Sequence, residues 1–288
     1  MAYNTKAKDI CILGDLMKIA VIQLCSALEP EKNLKKIQKF IDEAKKESSG
    51  ELEAVFLPEV FYSMSDGTQP TPYLVEPGNE HYLNIQKLAK DNSVYLIGGT
   101  AATKLGDKVI NRTYNFDKEG KELNNYDKIH LFSVNLSLTS NKTVVDETLV
   151  YSAGEKSKIL NIGNWKIGLG ICFDLRFPEL YRDYFAQGAN LMTACAAFTV
   201  PTGKAHWETL VRSRAIENQS YVVAAGQWGV HNDKISTYGH SLIIEPWGEI
   251  IADGGEGEKY LLADLDLQKV LAVRSRMNVD PRIDMSGY

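Results

Sequence analysis

The order strand, helix, strand, helix, strand, hairpin occurs twice along this chain, and no other feature restricts its fold as strongly. The first copy runs through a strand at Ile19-Leu24, a helix at Glu31-Lys46, a strand at Ala54-Leu57, a helix at His81-Lys90, a strand at Ser93-Gly98 and a hairpin from Ile110 to Tyr126. The second runs through Ile167-Ile171, Pro178-Gln187, Asn190-Ala194, Ala205-Asn218, Tyr221-Ala225 and the hairpin Ser241-Ile244 with Glu249-Ala252. Each copy makes a sheet that helices cover on one face only. Two such sheets bury their remaining faces against each other, which predicts an α/β fold built as a four-layer α-β-β-α sandwich with an internal pseudo-two-fold repeat. An ordinary three-layer α/β sheet is the alternative.

At 288 residues and 44% hydrophobic content the chain suits one large layered domain. Its formal net charge of −5, with no long basic block, argues against nucleic acid as a partner and offers no handle on an anionic membrane. The cysteines Cys11, Cys25, Cys172 and Cys195 show no C-x-x-C pair, which is the usage of a reducing compartment and points to the cytoplasm. Neither H-E-x-x-H nor a Cys/His cluster with zinc spacing is present, so no metal and no other cofactor is expected. Residues 1-16 are too polar for a signal segment and are expected to lie outside the fold, the domain running over 17-288 from a strand that starts at Met17.

Cys172 follows the apolar run Lys166-Ile171 and precedes Phe173-Asp174-Leu175-Arg176-Phe177-Pro178, so it sits on a strand-to-helix turn, where a nucleophile becomes exposed. A buried, inert thiol is the competing reading. Glu59 follows the strand Ala54-Leu57 at the rim of its sheet, where α/β folds bind ligands, and its apolar flanks can raise a carboxylate's pKa. Lys128, in Tyr126-Asp127-Lys128-Ile129-His130, reads on its own as a solvated surface group, and His130 as a hydrogen-bonded structural histidine.

Taken together, Phe56-Leu57-Pro58-Glu59, Tyr126-Asp127-Lys128-Ile129-His130-Leu131 and Gly170-Ile171-Cys172-Phe173-Asp174-Leu175-Arg176-Phe177-Pro178-Glu179 resemble the three signature blocks of the nitrilase superfamily of carbon-nitrogen hydrolases. The resemblance extends from about Met17 to the C-terminus and implies the same four-layer fold. By position it implies Cys172 as nucleophile, Glu59 as catalytic glutamate, Lys128 as catalytic lysine and Glu147 as a second glutamate. Ser152-Ala153-Gly154 departs from the Ser-Pro-Gly usual after that glutamate, which leaves the course of the loop open.

Amide cleavage needs a nucleophile, a proton shuttle and a cation for the developing oxyanion. Cys172, Glu59 and Lys128 supply these, with the backbone N-H of Phe173 as a second oxyanion donor and a thioester as intermediate. The resemblance is closest to amidases that act on short carboxylated amides, the omega-amidases and deaminated-glutathione amidases, and implies release of the acid and ammonia. Phe173-Asp174 after the cysteine, in place of Trp-Glu, argues against nitrile hydrolysis.

Arg176 is the candidate for a substrate carboxylate, its structural alternative being an ion pair with Asp174 or Glu179. Tyr62 and Phe198 are candidate pocket walls, and the loops Ser65-Gly78 and Ser133-Asp146 are expected to set pocket volume. Phe177, Leu180, Tyr184 and Phe185 suggest an apolar outer helix face that wants a partner, and the resemblance implies a homodimer or higher homo-oligomer. An N-carbamoyl amine or amino-acid hydrolase, and a catalytically silent dimeric scaffold of the same fold, are the competing functions.

Overall fold

A computed structural model describes residues 15-135 and 144-279. Strand β1 (Leu16–Gln23) leads through helix α1 (Pro30–Glu47) to β2 (Ala54–Phe56), then through α2 (Glu80–Asn92) to β3 (Tyr95–Ile97), β4 (Thr100–Leu105), β5 (Lys108–Phe116) and β6 (Glu122–Asp127). A short ribbon, β7 (Ser133–Asn135) with β8 (Val144–Asp146), joins the halves. The second half contains β9 (Ile159–Ile162), β10 (Trp165–Gly168), α3 (Pro178–Ala186), β11 (Leu191–Thr193), α4 (Val200–Asn218) and β12 (Tyr221–Ala224). It continues with the ribbon β13 (Trp228–Val230) and β14 (Ser236–Tyr238), then β15 (Leu242–Ile244) and β16 (Ile250–Asp253). The chain ends with β17 (Lys259–Asp266) and α5 (Leu267–Arg276).

The predicted repeat is visible in the pairing. In the first sheet β17 is antiparallel to β1, β1 to β3 are parallel, and β5 is antiparallel to β3. In the second, β9 is antiparallel to β10, β10 to β12 are parallel, and β15 is antiparallel to β12. The strands β4, β7, β8, β9, β13, β14 and β17 and the helix α5 have no counterpart among the elements expected from the sequence. The strand β17 returns from the far end of the chain and completes the first sheet beside β1.

Side-chain alternation along β1 separates the layers. Ile19 and Val21 join Ala54, Phe56, Ile97 and Ile167 in the core between the sheets, whereas Ala20 and Ile22 pack with Ile37 and Ile41 of α1 and Ile85 of α2. Strand β1 begins at Leu16, and buried Asp15 accepts from Asn164 and Gln268, so these two residues pack with the sheet. Residues 1-14 lie outside the described residues.

One expectation is corrected. Leu180, Tyr184 and Phe185 of α3 are buried in the chain's own core, so this helix does not turn them outward toward a partner. Their periodicity recorded packing against the second sheet, which any outer-layer helix requires.

Candidate active site

The first sheet ends at a buried carboxylate. Glu59 follows β2 by three residues and is 2% exposed. The next residue, Val60, has a left-handed backbone (φ +49°), unusual for a β-branched side chain, and its N-H is held by Thr100 Oγ1 at 2.7 Å. This sharp turn aims Glu59 inward. Its Oε1 accepts from Lys128 Nζ at 2.8 Å and Asn111 Nδ2 at 2.9 Å, and its Oε2 accepts from the Ala197 N-H at 2.8 Å. Strand β5 thus contributes Asn111, which carried no recognisable signal in the sequence.

Lys128 is fully buried, contrary to its isolated reading as a surface group. Desolvating an ammonium costs several kcal/mol, so it persists only with counter-charges. Glu59 and Glu147 both lie 2.8 Å from Nζ. Burial opposes the ammonium, but the two carboxylates outweigh it, and the Lys128 pKa stands well above its ordinary value.

The loop that carries Glu147 follows a defined course despite the missing proline. Ser152 and Gly154 donate backbone bonds to Val109 and Lys128, each at 2.8 Å, and a Cβ on Gly154 would collide with the Asp127 carbonyl. The Phe132 N-H donates to Glu147 Oε2 at 2.8 Å and the Glu147 N-H to the Phe132 carbonyl at the same distance. Burial raises the Glu147 pKa, Lys128 opposing and Glu59 reinforcing the rise.

Cys172 follows β10 and opens a short 3-10 turn, Cys172–Arg176, with φ +47°. A side chain in that region costs roughly 1–2 kcal/mol relative to glycine, so the fold accepts strain to present the thiol. The Cys172 N-H donates to the Cys195 carbonyl at 2.8 Å, which fixes the turn to the next strand. Burial pushes the thiol pKa well up, Glu59 adds to the rise and Lys128 opposes it. Burial and the Glu59 carboxylate thus both favour the thiol over the thiolate, with Lys128 opposing them.

Buried Asp174 anchors the same turn to the lysine's strand. It accepts from the Tyr126 hydroxyl at 2.8 Å, the Ile171 N-H at 3.0 Å, the His130 N-H at 3.1 Å, and pairs with His130 Nδ1 at 2.7 Å. His130 also stacks on Phe177, and is the structural histidine that its sequence context suggested.

A cavity of about 360 Å³ opens over these groups, lined by Glu59, Glu147, Cys172, Phe173, Arg176 and Phe198 among others. Tyr62 is not among the lining residues: it lies in the core under α2 and bonds His81, so its candidacy as a pocket wall is corrected. Phe132, Tyr151 and Thr199, which the sequence reading missed, do line the cavity. Ser65 and Gly67 at its mouth belong to one loop expected to shape it; residues 136-143 of the other lie outside the described residues.

Arg176 makes no ion pair among the described residues, because Asp174 is engaged elsewhere and Glu179 is not its partner. Its guanidinium lies 5.7 Å from the Phe173 ring, 5.4 Å from the Phe198 ring and 3.3 Å from His206 Nδ1. A cationic, flat donor group thus faces the same space as the thiol.

Known proteins are similar to this chain in sequence and in fold. The carbon-nitrogen hydrolase family matches residues 18–275. The chain is 33% identical to omega-amidase NIT2 of Mus musculus, covering 91% of this chain and 93% of that protein. It is 35% identical to deaminated glutathione amidase of Synechocystis, covering 90% and 94% respectively. Its structure is similar to that of Saccharomyces cerevisiae Nit3, a member of branch 10 of the nitrilase superfamily, with a TM-score of 0.81 at 30% identity over 95% of this chain and 97% of that one. The match over residues 18–275, with relatives at 33–35% identity along nearly the whole chain and a fold shared with Nit3, places this chain in the carbon-nitrogen hydrolase family.

Proposed function

We propose that this protein is a cysteine-dependent amidase that hydrolyses a small carboxylated amide, the omega-amide of a dicarboxylate such as α-ketoglutaramate or the amide of deaminated glutathione. One observation carries the reading: the Cys172 thiol, the Glu59 and Glu147 carboxylates and the Arg176 guanidinium, which has no ion pair among the described residues, line one cavity. Its volume of about 360 Å³ falls in the range of small-molecule sites, roughly 300–1,000 Å³.

Glu59 takes the thiol proton as Cys172 sulfur attacks the amide carbon. Lys128 Nζ and the Phe173 N-H stabilise the oxyanion. The tetrahedral species collapses with cleavage of the carbon-nitrogen bond, and Glu59 returns the proton to the departing amine. Water, deprotonated by Glu59, then attacks the thioester, and cleavage of the carbon-sulfur bond frees the acid and restores the thiol. Glu147 holds Lys128 in place. Arg176 binds the substrate's carboxylate, with Phe173 and Phe198 as walls.

The ammonia that the resemblance implies is the product of α-ketoglutaramate only; deaminated glutathione yields cysteinylglycine, because its amide nitrogen belongs to the cysteinyl residue. α-Ketoglutarate is the product common to both, and its formation is the quantity to measure, alongside an N-carbamoyl amino acid and with Cys172→Ala as control. Turnover of one keto-amide, absent in the control, supports the amidase. Carbon dioxide from the carbamoyl compound alone, or no product from any of the three, overturns it.

The same reading places the enzyme in the cytoplasm as a homodimer or higher homo-oligomer. No helix among the described residues is long and apolar enough to cross a membrane. Trp247 and Ile216 remain 58% and 45% exposed where the turn between β15 and β16 rests on α4, and they are the apolar surface suited to a second copy. Light scattering that finds only monomer contradicts the assembly.

A further inference from the structure

Asn111 stands beside Glu59 with an unusual polar balance. Its Nδ2 donates to Glu59 Oε1 at 2.9 Å, while its Oδ1 is buried without a hydrogen-bond partner among the described residues. Asparagine is 1% exposed here, so Oδ1 is not compensated by bulk water. Turning the amide over would set two oxygens against each other, so the contact with Glu59 dictates which end is left orphaned. A leucine of similar volume would avoid the unsatisfied acceptor altogether, yet it would leave the carboxylate without this donor.

The same oxygen of Glu59 receives Lys128, and the Lys128 N-H donates to the Asn111 carbonyl at 2.9 Å. Side chain and backbone of Asn111 therefore set the relative position of carboxylate and ammonium. With Oε1 occupied by Lys128 and Asn111, and Oε2 by a single donor, the Ala197 N-H, it is Oε2 that keeps accepting capacity. We propose that Asn111 is a positioning residue: it locks the Glu59 carboxylate so that Oε2 is the oxygen that takes and returns the proton of Cys172, and the fold tolerates an orphaned acceptor to do so. This rests on Glu59 being the proton shuttle.

The test compares Asn111→Leu, Asn111→Ala and Glu59→Gln with the unmodified protein. The rate of iodoacetamide alkylation at Cys172, followed at pH 7 on its own peptide by mass spectrometry, reports proton removal without reliance on any substrate. For Asn111→Leu the expected result is alkylation and kcat on α-ketoglutaramate reduced about tenfold or more, KM little changed, and a thermal midpoint above that of Asn111→Ala, because removal of the orphaned acceptor offsets the lost bond to Glu59 and the leucine fills the space. Asn111→Ala should show the same kinetic loss with a lower midpoint, because it leaves a space. Kinetic loss in Asn111→Ala that Asn111→Leu recovers along with the midpoint overturns the proposal, since Asn111 would then be structural. If Glu59→Gln slows alkylation and Asn111→Leu does not, the proposal fails while the shuttle role of Glu59 stands. Unaltered alkylation in Glu59→Gln overturns that role itself, and the proposal with it.

Discussion

The Tyr126 hydroxyl donates to the Asp174 carboxylate at 2.8 Å across the space between the two sheets. Tyr126 stands two residues before Lys128 and Asp174 two residues after Cys172, so this bond ties the strand that leads into Lys128 to the turn that carries the thiol. His130, two residues beyond Lys128, grips the same carboxylate from the other side. Lysine and cysteine are held from both flanks.

Tyr126→Phe removes one hydrogen bond to a buried charge. Such bonds contribute about 1.5–3 kcal/mol, so a lower thermal midpoint is expected, accompanied by a fall in kcat as Lys128 and Cys172 lose alignment. Asp174→Asn should be more severe, since its amide accepts at one oxygen only. Thermal unfolding and steady-state turnover on α-ketoglutaramate check both, and an Asp174→Asn protein with unaltered midpoint and kcat would contradict the role of this bond.

Replacement of Cys172 separates strain from chemistry. Both Cys172→Ala and Cys172→Gly should lose all turnover. At φ +47° glycine is free of the penalty that alanine retains, so the glycine variant should be at least as stable, although glycine elsewhere usually costs about 0.5–1 kcal/mol relative to alanine. Denaturant unfolding of the pair decides the matter; a clearly less stable glycine variant would speak against a strained turn.

Alkaline pH should weaken the fold through the site itself. The folded pKa values of Cys172 and Lys128 are raised above 9.0 and 10.5, so the native state binds these protons more tightly than the unfolded chain. Their contribution is fully present below those unfolded values and is lost as pH rises through the folded ones. Buried tyrosines such as Tyr181, raised above 10.0, add the same sign of effect at higher pH. Stability measured against pH should begin to fall near 9, and Cys172→Ala should delay that onset. Identical profiles for the two proteins would show that the thiol does not titrate as described.

Arg176→Ala leaves no carboxylate among the described residues unpaired, so little change in thermal midpoint is expected. Loss of a charge-assisted contact to substrate should raise KM for acidic amides by about 10–100-fold with kcat nearly unchanged. A fall in kcat at constant KM would reassign Arg176 from binding to the chemical step.

The layered fold was legible because it rests on local periodicity and on its repetition. Alternation along Ile19-Leu24 and the 3.6-residue spacing in α1 are written into consecutive residues, whereas β17 was overlooked because its place beside β1 depends on pairing across more than two hundred residues. Leu180 and Tyr184 show the limit of periodicity, which identifies an apolar face without saying what covers it.

Sequence by itself determined that Cys172 stands on a strand-to-helix turn and, through the three signature blocks, that Glu59 and Lys128 belong with it. Only the tertiary structure decided that Lys128 is buried between two carboxylates, that burial and Glu59 favour the Cys172 thiol over its thiolate, that Arg176 is free of acidic partners among the described residues, and that Asn111 touches Glu59. The physical reason is that desolvation and hydrogen-bond geometry belong to groups brought together from distant strands, and a single side chain's type records neither its depth nor its neighbours.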